Sequence, residues 1–221
     1  MDTKARARPR GRPRKAERAE DESRRELLDA ALVVFGARGY QGATVDEVVT
    51  QANLSKGTFY WTFDSKESLF LSLVDERLDQ PIREVMAVTE RAPADEPTSA
   101  DVSAALAHIF VEQRDLLLLL FDYWAAATRD PDVASRYRER HDALRATLAR
   151  ALTARHARTG VKMTLPADDL AEAFIALGHG LALHALVDRQ DITASLFGQI
   201  ASLVYDGMVL RGQGQDERSP G

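Results

Sequence analysis

The chain contains no cysteine, which excludes a disulfide framework and a thiolate zinc site, although it fixes no compartment. It also lacks a long apolar run. The longest, Leu116 to Phe121, is bounded by Asp115 and Asp122, far short of the roughly 18 residues a bilayer span needs. The basic amino terminus is not followed by an apolar stretch, so it does not read as a secretory signal, and a cytoplasmic protein with no membrane partner is expected. No segment of any length alternates polar and apolar residues as a strand does, and no glycine-rich phosphate loop, nucleophile elbow or forced carboxylate pair is present. Neither catalysis nor a cofactor is expected. His179 and His184 stand five residues apart, which turns them about 140° from each other on a helix, so they cannot chelate one metal.

What is present is unevenly placed charge. The net charge is -5, yet residues 1 to 18 carry eight basic side chains against Asp2 and Glu17, leaving +6 on this arm and -11 on the rest. An acidic body is repelled by nucleic acid except where basic groups are presented, so the arm supplies attraction and orients the encounter. Within it, Pro9-Arg10-Gly11-Arg12-Pro13-Arg14-Lys15 resembles an AT-hook. Pro9 and Pro13 keep the backbone out of a helix, Gly11 lets it approach a groove floor, and Arg10 and Arg12 suit the negative potential of a narrow A·T minor groove. A basic tail that binds phosphates without preference is the other reading. The arm, residues 1–20, is expected to be disordered without DNA.

The densest pattern lies between Thr44 and Phe63. Val45, Val48, Val49 and Ala52 fall on one helical stripe, and Thr44 with Glu47 forms a capping box at its start. Asn53 suits a left-handed turn, Leu54 plugs the corner, and Ser55 caps a second helix in which Phe59 and Phe63 point inward. Lys56, Gly57, Thr58, Tyr60, Trp61 and Thr62 are left facing elsewhere. A helix of about seven residues is about 10 Å long and fits a major groove about 12 Å wide. Lys56 offers charge to phosphate, Thr58 reaches a base edge or methyl, Tyr60 and Thr62 reach phosphate oxygens, and Gly57 lets backbone approach backbone.

These residues resemble the tetracycline-repressor (TetR) family of bacterial transcriptional regulators. The family's run of Thr, an aliphatic helix, Ala-Gly-Val-Ser, Lys or Arg, Gly-Thr, Tyr, Phe and Ser-Lys-Glu is matched by Thr44 through Ala52-Asn53-Leu54-Ser55, Lys56-Gly57-Thr58, Tyr60, Phe63, Ser65-Lys66-Glu67 and Leu69. Two positions depart: Asn53 replaces the turn glycine, and Thr62 stands where an aromatic or His often touches phosphate. Upstream, Ser23-Arg24-Arg25-Glu26 reads as a capping box, followed by the stripe Leu27, Leu28, Ala31, Leu32 and Phe35 and by an ending at Gly39-Tyr40. The resemblance implies that Lys56, Thr58, Tyr60 and Trp61 face a double-stranded operator while Thr44 and Lys66 hold phosphates.

The remainder reads as helices over about 65–90, with Pro81 as a kink or break, then 99–113, 115–129, 131–158, 167–189 and 193–210, with a loop at 91–99. The fold class is therefore all-α with about nine helices. Residues 21–82 form a helix-turn-helix domain, 83–211 a larger ligand-binding and dimerisation domain, and 212–221 a disordered tail. Residues 168–187 are apolar around much of the helix, with the small Ala173, Ala176, Gly178, Gly180 and Ala182 permitting close approach of another helix. The resemblance implies a homodimer through the last two long helices, with Phe174, Leu177, Gly178, Leu181, Ala185 and Leu203 as interface candidates. It further implies a small-molecule effector pocket among the middle helices. Met86, Phe110, Phe121, Trp124, Tyr137 and His141 are the candidates there, although aromatic residues at helical spacing also make plain core. The rival to a ligand-responsive repressor is an architectural protein that binds DNA mainly through its arm.

Overall fold

The computed structural model describes residues 15–91, 93, 99–159, 163, 165–188, 196, 199–200 and 202–203. Every described element is helical, nine α-helices and one π-turn, which makes the chain all-α. The amino-terminal head comprises α1 (Lys15–Gly42), α2 (Val45–Gln51) and α3 (Lys56–Thr62), followed by α4 (Lys66–Val74). The larger body comprises α5 (Gln80–Arg91), α6 (Ser99–Glu112), α7 (Arg114–Ala127), α8 (Pro131–Thr159) and α9 (Ala167–Asp188). The helix expected over 193–210 and the tail at 212–221 fall almost wholly outside the described residues.

Two expectations about helix ends are corrected. Ser23 does not start a helix, because α1 already begins at Lys15. The run Lys15-Ala16-Glu17-Arg18-Ala19-Glu20 is made of strong helix formers, so winding extends back at least to Lys15. Residues 15–20 of the expected arm are thus helical. Of the kink or break expected at Pro81, only the break is overturned, since helical winding continues through it. The preceding Asp75–Asp79 widens into a π-turn, with the Gln80 N–H donating to the Asp75 carbonyl. Proline has no N–H to donate and its ring collides with the carbonyl four residues back in an α-helix; the wider turn moves that carbonyl aside, and α5 runs on to Arg91.

The head folds around the expected stripe. Leu27, Leu28, Ala31 and Phe35 of α1, Val48 and Val49 of α2, and Phe59 and Phe63 are all buried, each large side chain contributing about 1.5–3 kcal/mol of burial. This core does not stop at the head. It runs without a gap into Leu116, Leu117, Leu119, Leu120 and Tyr123 of α7. Tyr40, Phe70 and Tyr123 form the seam, with ring centroids 4.8 Å apart for Tyr40 and Phe70 and 5.1 Å for the edge-on pair Tyr40 and Tyr123. Burial pushes the Tyr40 hydroxyl up to about 12 and the Tyr123 hydroxyl up as well. The Tyr123 hydroxyl donates to Glu67 at 2.9 Å, and Arg136 of α8 pairs with the other oxygen of Glu67.

The π-turn is the second junction. Arg24 of α1 reaches Glu76 at 3.0 Å, and Arg77 reaches back to Asp29 of α1. From the other side, Arg140 of α8 grips Asp79 through two hydrogen bonds of 2.7 and 2.6 Å. Asp79 is buried, and the loss of solvent pushes its carboxyl up against the downward pull of Arg140. At the far end of α5, Arg158 donates to the Thr89 and Glu90 carbonyls. Helices α5 and α8 are therefore parallel neighbours, pinned at both ends.

Candidate nucleic-acid interface and cavity

The turn between α2 and α3 is built as its residues dictate. Thr44 caps α2, accepting from the Glu47 N–H at 3.2 Å while its own N–H donates to the Glu47 carboxylate at 3.0 Å. The Thr44 hydroxyl, which donates to the same carboxylate at 2.9 Å, and the Thr44 N–H together hold the Glu47 carboxyl below the usual range. Asn53 adopts φ 54°, the sole positive φ outside glycine among the described residues, and Leu54 tucks against the head core. Ser55 then caps α3, accepting from the Thr58 N–H at 3.0 Å.

On α3 the faces divide sharply. Phe59 is fully buried, whereas Tyr60 is 58% exposed and Trp61 79% exposed. Water gains nothing from a bare indole, so an aromatic pair held outward on a short helix marks a contact surface. Lys56 extends beside them and meets Asp46 at 2.7 Å; this hydrogen bond raises its ammonium, which stays charged. A Cβ built on Gly57 would meet only the Ser55 hydroxyl at 3.5 Å. Nothing inside the protomer calls for glycine there.

Other expected contacts are arranged differently. Thr58 is half-buried and shares a hydrogen bond of 2.9 Å with Ser55, and Thr62 turns its hydroxyl onto the Thr58 carbonyl at 2.9 Å. Lys66 turns to the fold. Its ammonium donates to the Tyr40, Gln41 and Ala43 carbonyls at 2.9, 3.3 and 2.9 Å and lies 4.9 Å from the Tyr40 ring centre. In the chain without DNA, all three of its N–H bonds close the carboxy-terminal end of α1, where bare carbonyls need donors, so it serves as a structural cap there. Partial burial lowers its ammonium accordingly. Arg10, Gly11 and Arg12 lie outside the described residues.

A cavity of about 120 Å³ lies in the body between α5, α6, α7, α8 and α9. Met86 and Phe110 line it, as expected, but Phe121, Trp124, Tyr137 and His141 do not. Those four stack beside it instead. Trp124 sits edge-on to Phe121, Tyr137 and His179, the last at 4.5 Å; Tyr137 meets His141 at 3.2 Å, and His141 meets Glu172 at 2.7 Å. Aromatic packing there displaced them from the wall. The residues that were missed are Arg140, Arg155 and His179 with the aliphatics Leu144, Leu148 and Leu152. A stripe was legible at 140, 144, 148, 151, 152 and 155, but arginines at both ends disguised it as surface. Burial lowers His179 to about 4, with the positive Arg140 acting in the same direction, so it is neutral at physiological pH.

The expected interface residues also separate. Phe174 lines the cavity and Gly178 is buried, while Leu177 and Leu181 are half-buried and Leu203 is 70% exposed. The side chain of Ala185 lies outside the described residues. Among the described residues, no group of three or more His, Asp or Glu could hold a metal, and no helix is long and apolar enough to cross a membrane.

Known proteins share this arrangement. Residues 27–73 match the family model described as bacterial regulatory proteins, tetR family, and residues 99–202 match that of the BetI-type transcriptional repressor, C-terminal. The HTH-type transcriptional regulator YfiR of Bacillus subtilis is 24% identical over 196 residues, covering 86% of this chain and 94% of YfiR. The HTH-type transcriptional activator FasR of Mycolicibacterium smegmatis is 41% identical over 73 residues, 33% of each chain. A crystal structure of a TetR-family regulator from Mesorhizobium loti superposes with a TM-score of 0.68 at 22% identity, covering 86% of this chain and 96% of that one. A transcriptional regulator from Saccharomonospora viridis, solved in complex with choline, superposes with a TM-score of 0.60 at 20% identity over 82% and 94% of the two chains.

Proposed function

Because the chain belongs to the TetR family of regulators, we propose that it is a homodimeric, ligand-responsive repressor that reads a palindromic operator. The observation that carries this reading is the outward face of α3: Lys56, Gly57, Tyr60 and Trp61 stand free of the protomer's core. In the operator complex Lys56 exchanges Asp46 for a phosphate, Tyr60 and Trp61 meet sugar and phosphate, and Thr44 presents the start of α2. The arm adds Arg10 and Arg12 in an adjacent minor groove, so its phosphate contacts steepen the salt dependence by about 0.9 log units each.

A second copy is supported by α9. Ala173, Ala176, Gly180 and Leu183 are exposed at successive turns, and a Cβ at Gly180 would meet nothing within 4 Å, so the narrow stripe is open to a partner helix. A C2 dimer sets two reading helices one DNA turn apart, about 34–36 Å. A ligand in the cavity bears on Arg140 and, through Asp79, on the π-turn that α1 also grips. A hundredfold loss of operator affinity needs about 2.7 kcal/mol of differential binding. The choline of the Saccharomonospora viridis structure is not carried over, since the cavity here is lined by two arginines and no carboxylate.

Selection of bound fragments from random DNA tests the reading. A palindrome with half-sites one turn apart is expected, and Lys56→Ala with Tyr60→Ala abolishes its selection. Deleting residues 1–18 lowers affinity while keeping the same palindrome. Loss of all DNA binding on that deletion would instead make this an architectural protein acting through its arm.

A further inference from the structure

We propose that the cavity selects an elongated uncharged molecule, an unbranched aliphatic chain ending in a hydroxyl, with the hydroxyl at His179 and the chain lying between α5 and α8. The inference deepens the effector reading above and rests on it only for its regulatory meaning.

Shape comes first. From Arg140 to Arg155 the lining follows one face of α8, about 22 Å at 1.5 Å per residue. Because α5 and α8 run in parallel, Leu78, Ile82 and Met86 line the opposite wall in the same order. A volume of about 120 Å³ drawn out along that wall is a narrow slot, bounded mostly by aliphatic side chains, and it suits methylenes in single file. Charge then selects the head. The lining has four polar side chains, Thr89, Arg140, Arg155 and His179, and no carboxylate, so a cationic head would lose its water with no counter-charge to meet. An anion fares no better. Asp79 already holds Arg140 through bonds of 2.7 and 2.6 Å, and a second carboxylate brought there would face Asp79 at close range. Arg155 is likewise engaged within the protein, and the Thr89 hydroxyl donates to the Val85 carbonyl at 2.9 Å. His179 is the fourth. Its ring packs edge-on against Trp124 with centroids 4.5 Å apart, and burial, with Arg140 and His141 beside it, lowers it to about 4, which leaves it neutral. A neutral imidazole has one N–H to donate and one bare nitrogen to accept, and among the described residues no hydrogen bond takes up either. A hydroxyl, itself donor and acceptor, meets that pair without bringing charge into the slot.

Isothermal titration of the full-length chain at pH 7 with 1-octanol, octanoate and octyltrimethylammonium places one tail under three heads. The alcohol is expected to bind at least tenfold more tightly than either ion, a comparison that needs no variant. His179→Leu should weaken 1-octanol at least fivefold. His179→Gln, which keeps a donor and an acceptor, should recover binding to within twofold, with thermal melts showing that both variants are folded. Met86→Trp, which narrows the slot from α5, should weaken 1-octanol at least tenfold. Equal or tighter binding of either ion, 1-octanol binding that is unchanged in His179→Leu or not recovered in His179→Gln, heat that survives Met86→Trp, or no binding by any probe would each overturn the proposal. Operator release is read separately, on whichever DNA fragment selection yields. His179-dependent binding of 1-octanol without release upholds the ligand class and defeats the effector reading; release by some other compound, with 1-octanol inert, does the reverse.

Discussion

In α3 and its turn, polar side chains are held by partners three or four residues away: Thr44 with Glu47, Ser55 with Thr58, Thr62 with the Thr58 carbonyl. In the body the decisive polar contacts join residues far apart in the chain, with 61 positions between Arg140 and Asp79 and 69 between Arg158 and Thr89. The head is therefore shaped by local bonds that form wherever this short stretch is helical, and it arrives at a groove already organised. The body holds its shape only once all its helices have docked. Under the proposed function, its cavity and its junction to the π-turn would respond together to an entering ligand, which is the division of labour a switch requires.

The contrast is broken most severely at Arg140. Arg140→Leu leaves Asp79 buried without a partner, and about 3–5 kcal/mol of stability should be lost, read as a drop in the urea midpoint. Adding Asp79→Leu removes the orphaned charge and should restore most of it. If the π-turn carries the signal, this double variant will bind operator yet no longer release it with ligand. Acid should act next, and on the body. His179 titrates at about 4 in the folded chain against 6.5 as a free group, so between those values the unfolded chain takes up the proton first. Its contribution is complete above pH 6.5 and is lost as pH falls toward 4, about 3 kcal/mol in all. Urea titrations across that window should show the loss, and His179→Gln should flatten it.

Changes in the head should be smaller and should separate stability from function. Thr44→Ala removes the hydroxyl that accepts from the Glu47 N–H and donates to its carboxylate, leaving only the backbone bond of the capping box, and is expected to cost about 1 kcal/mol in thermal or urea unfolding. Gly57→Ala should go the opposite way. A Cβ there meets no obstacle in the protomer, so the helix gains up to about 1 kcal/mol. The same methyl stands between α3 and the DNA backbone, so operator affinity measured by gel shift should fall. A variant that is more stable and still binds with full affinity would show that Gly57 does not approach DNA.

Much of the head was legible because its determinants are short-range. A capping box, an asparagine able to take φ 54° and two phenylalanines four apart specify a turn and an inward face without reference to the rest of the chain. Lys66 shows where that legibility ends. Its neighbours in sequence say only that a cation follows a serine cap, whereas its ammonium is consumed by carbonyls at the end of α1 more than twenty residues earlier. The aromatic candidates for the pocket were misplaced for the same reason. Trp124 packs edge-on against Tyr137 and Tyr137 against His141 beside the cavity, and which aromatic faces a void depends on how α7, α8 and α9 settle together. Pro81 was flagged correctly as a disturbance, but its resolution as a π-turn depended on Arg24, Arg77 and Arg140 anchoring Asp75–Asp79 from both sides.

By itself, the order of residues determined an all-helical chain with a capped helix-turn-helix and an outward aromatic edge, since periodicity and capping act within a few positions. Packing between distant helices alone decided that the head's core continues into α7, that Lys66 serves the fold, and that two arginines border an apolar slot. Those outcomes rest on burial and on ion pairs across dozens of residues, and such contacts exist only after the chain has closed on itself.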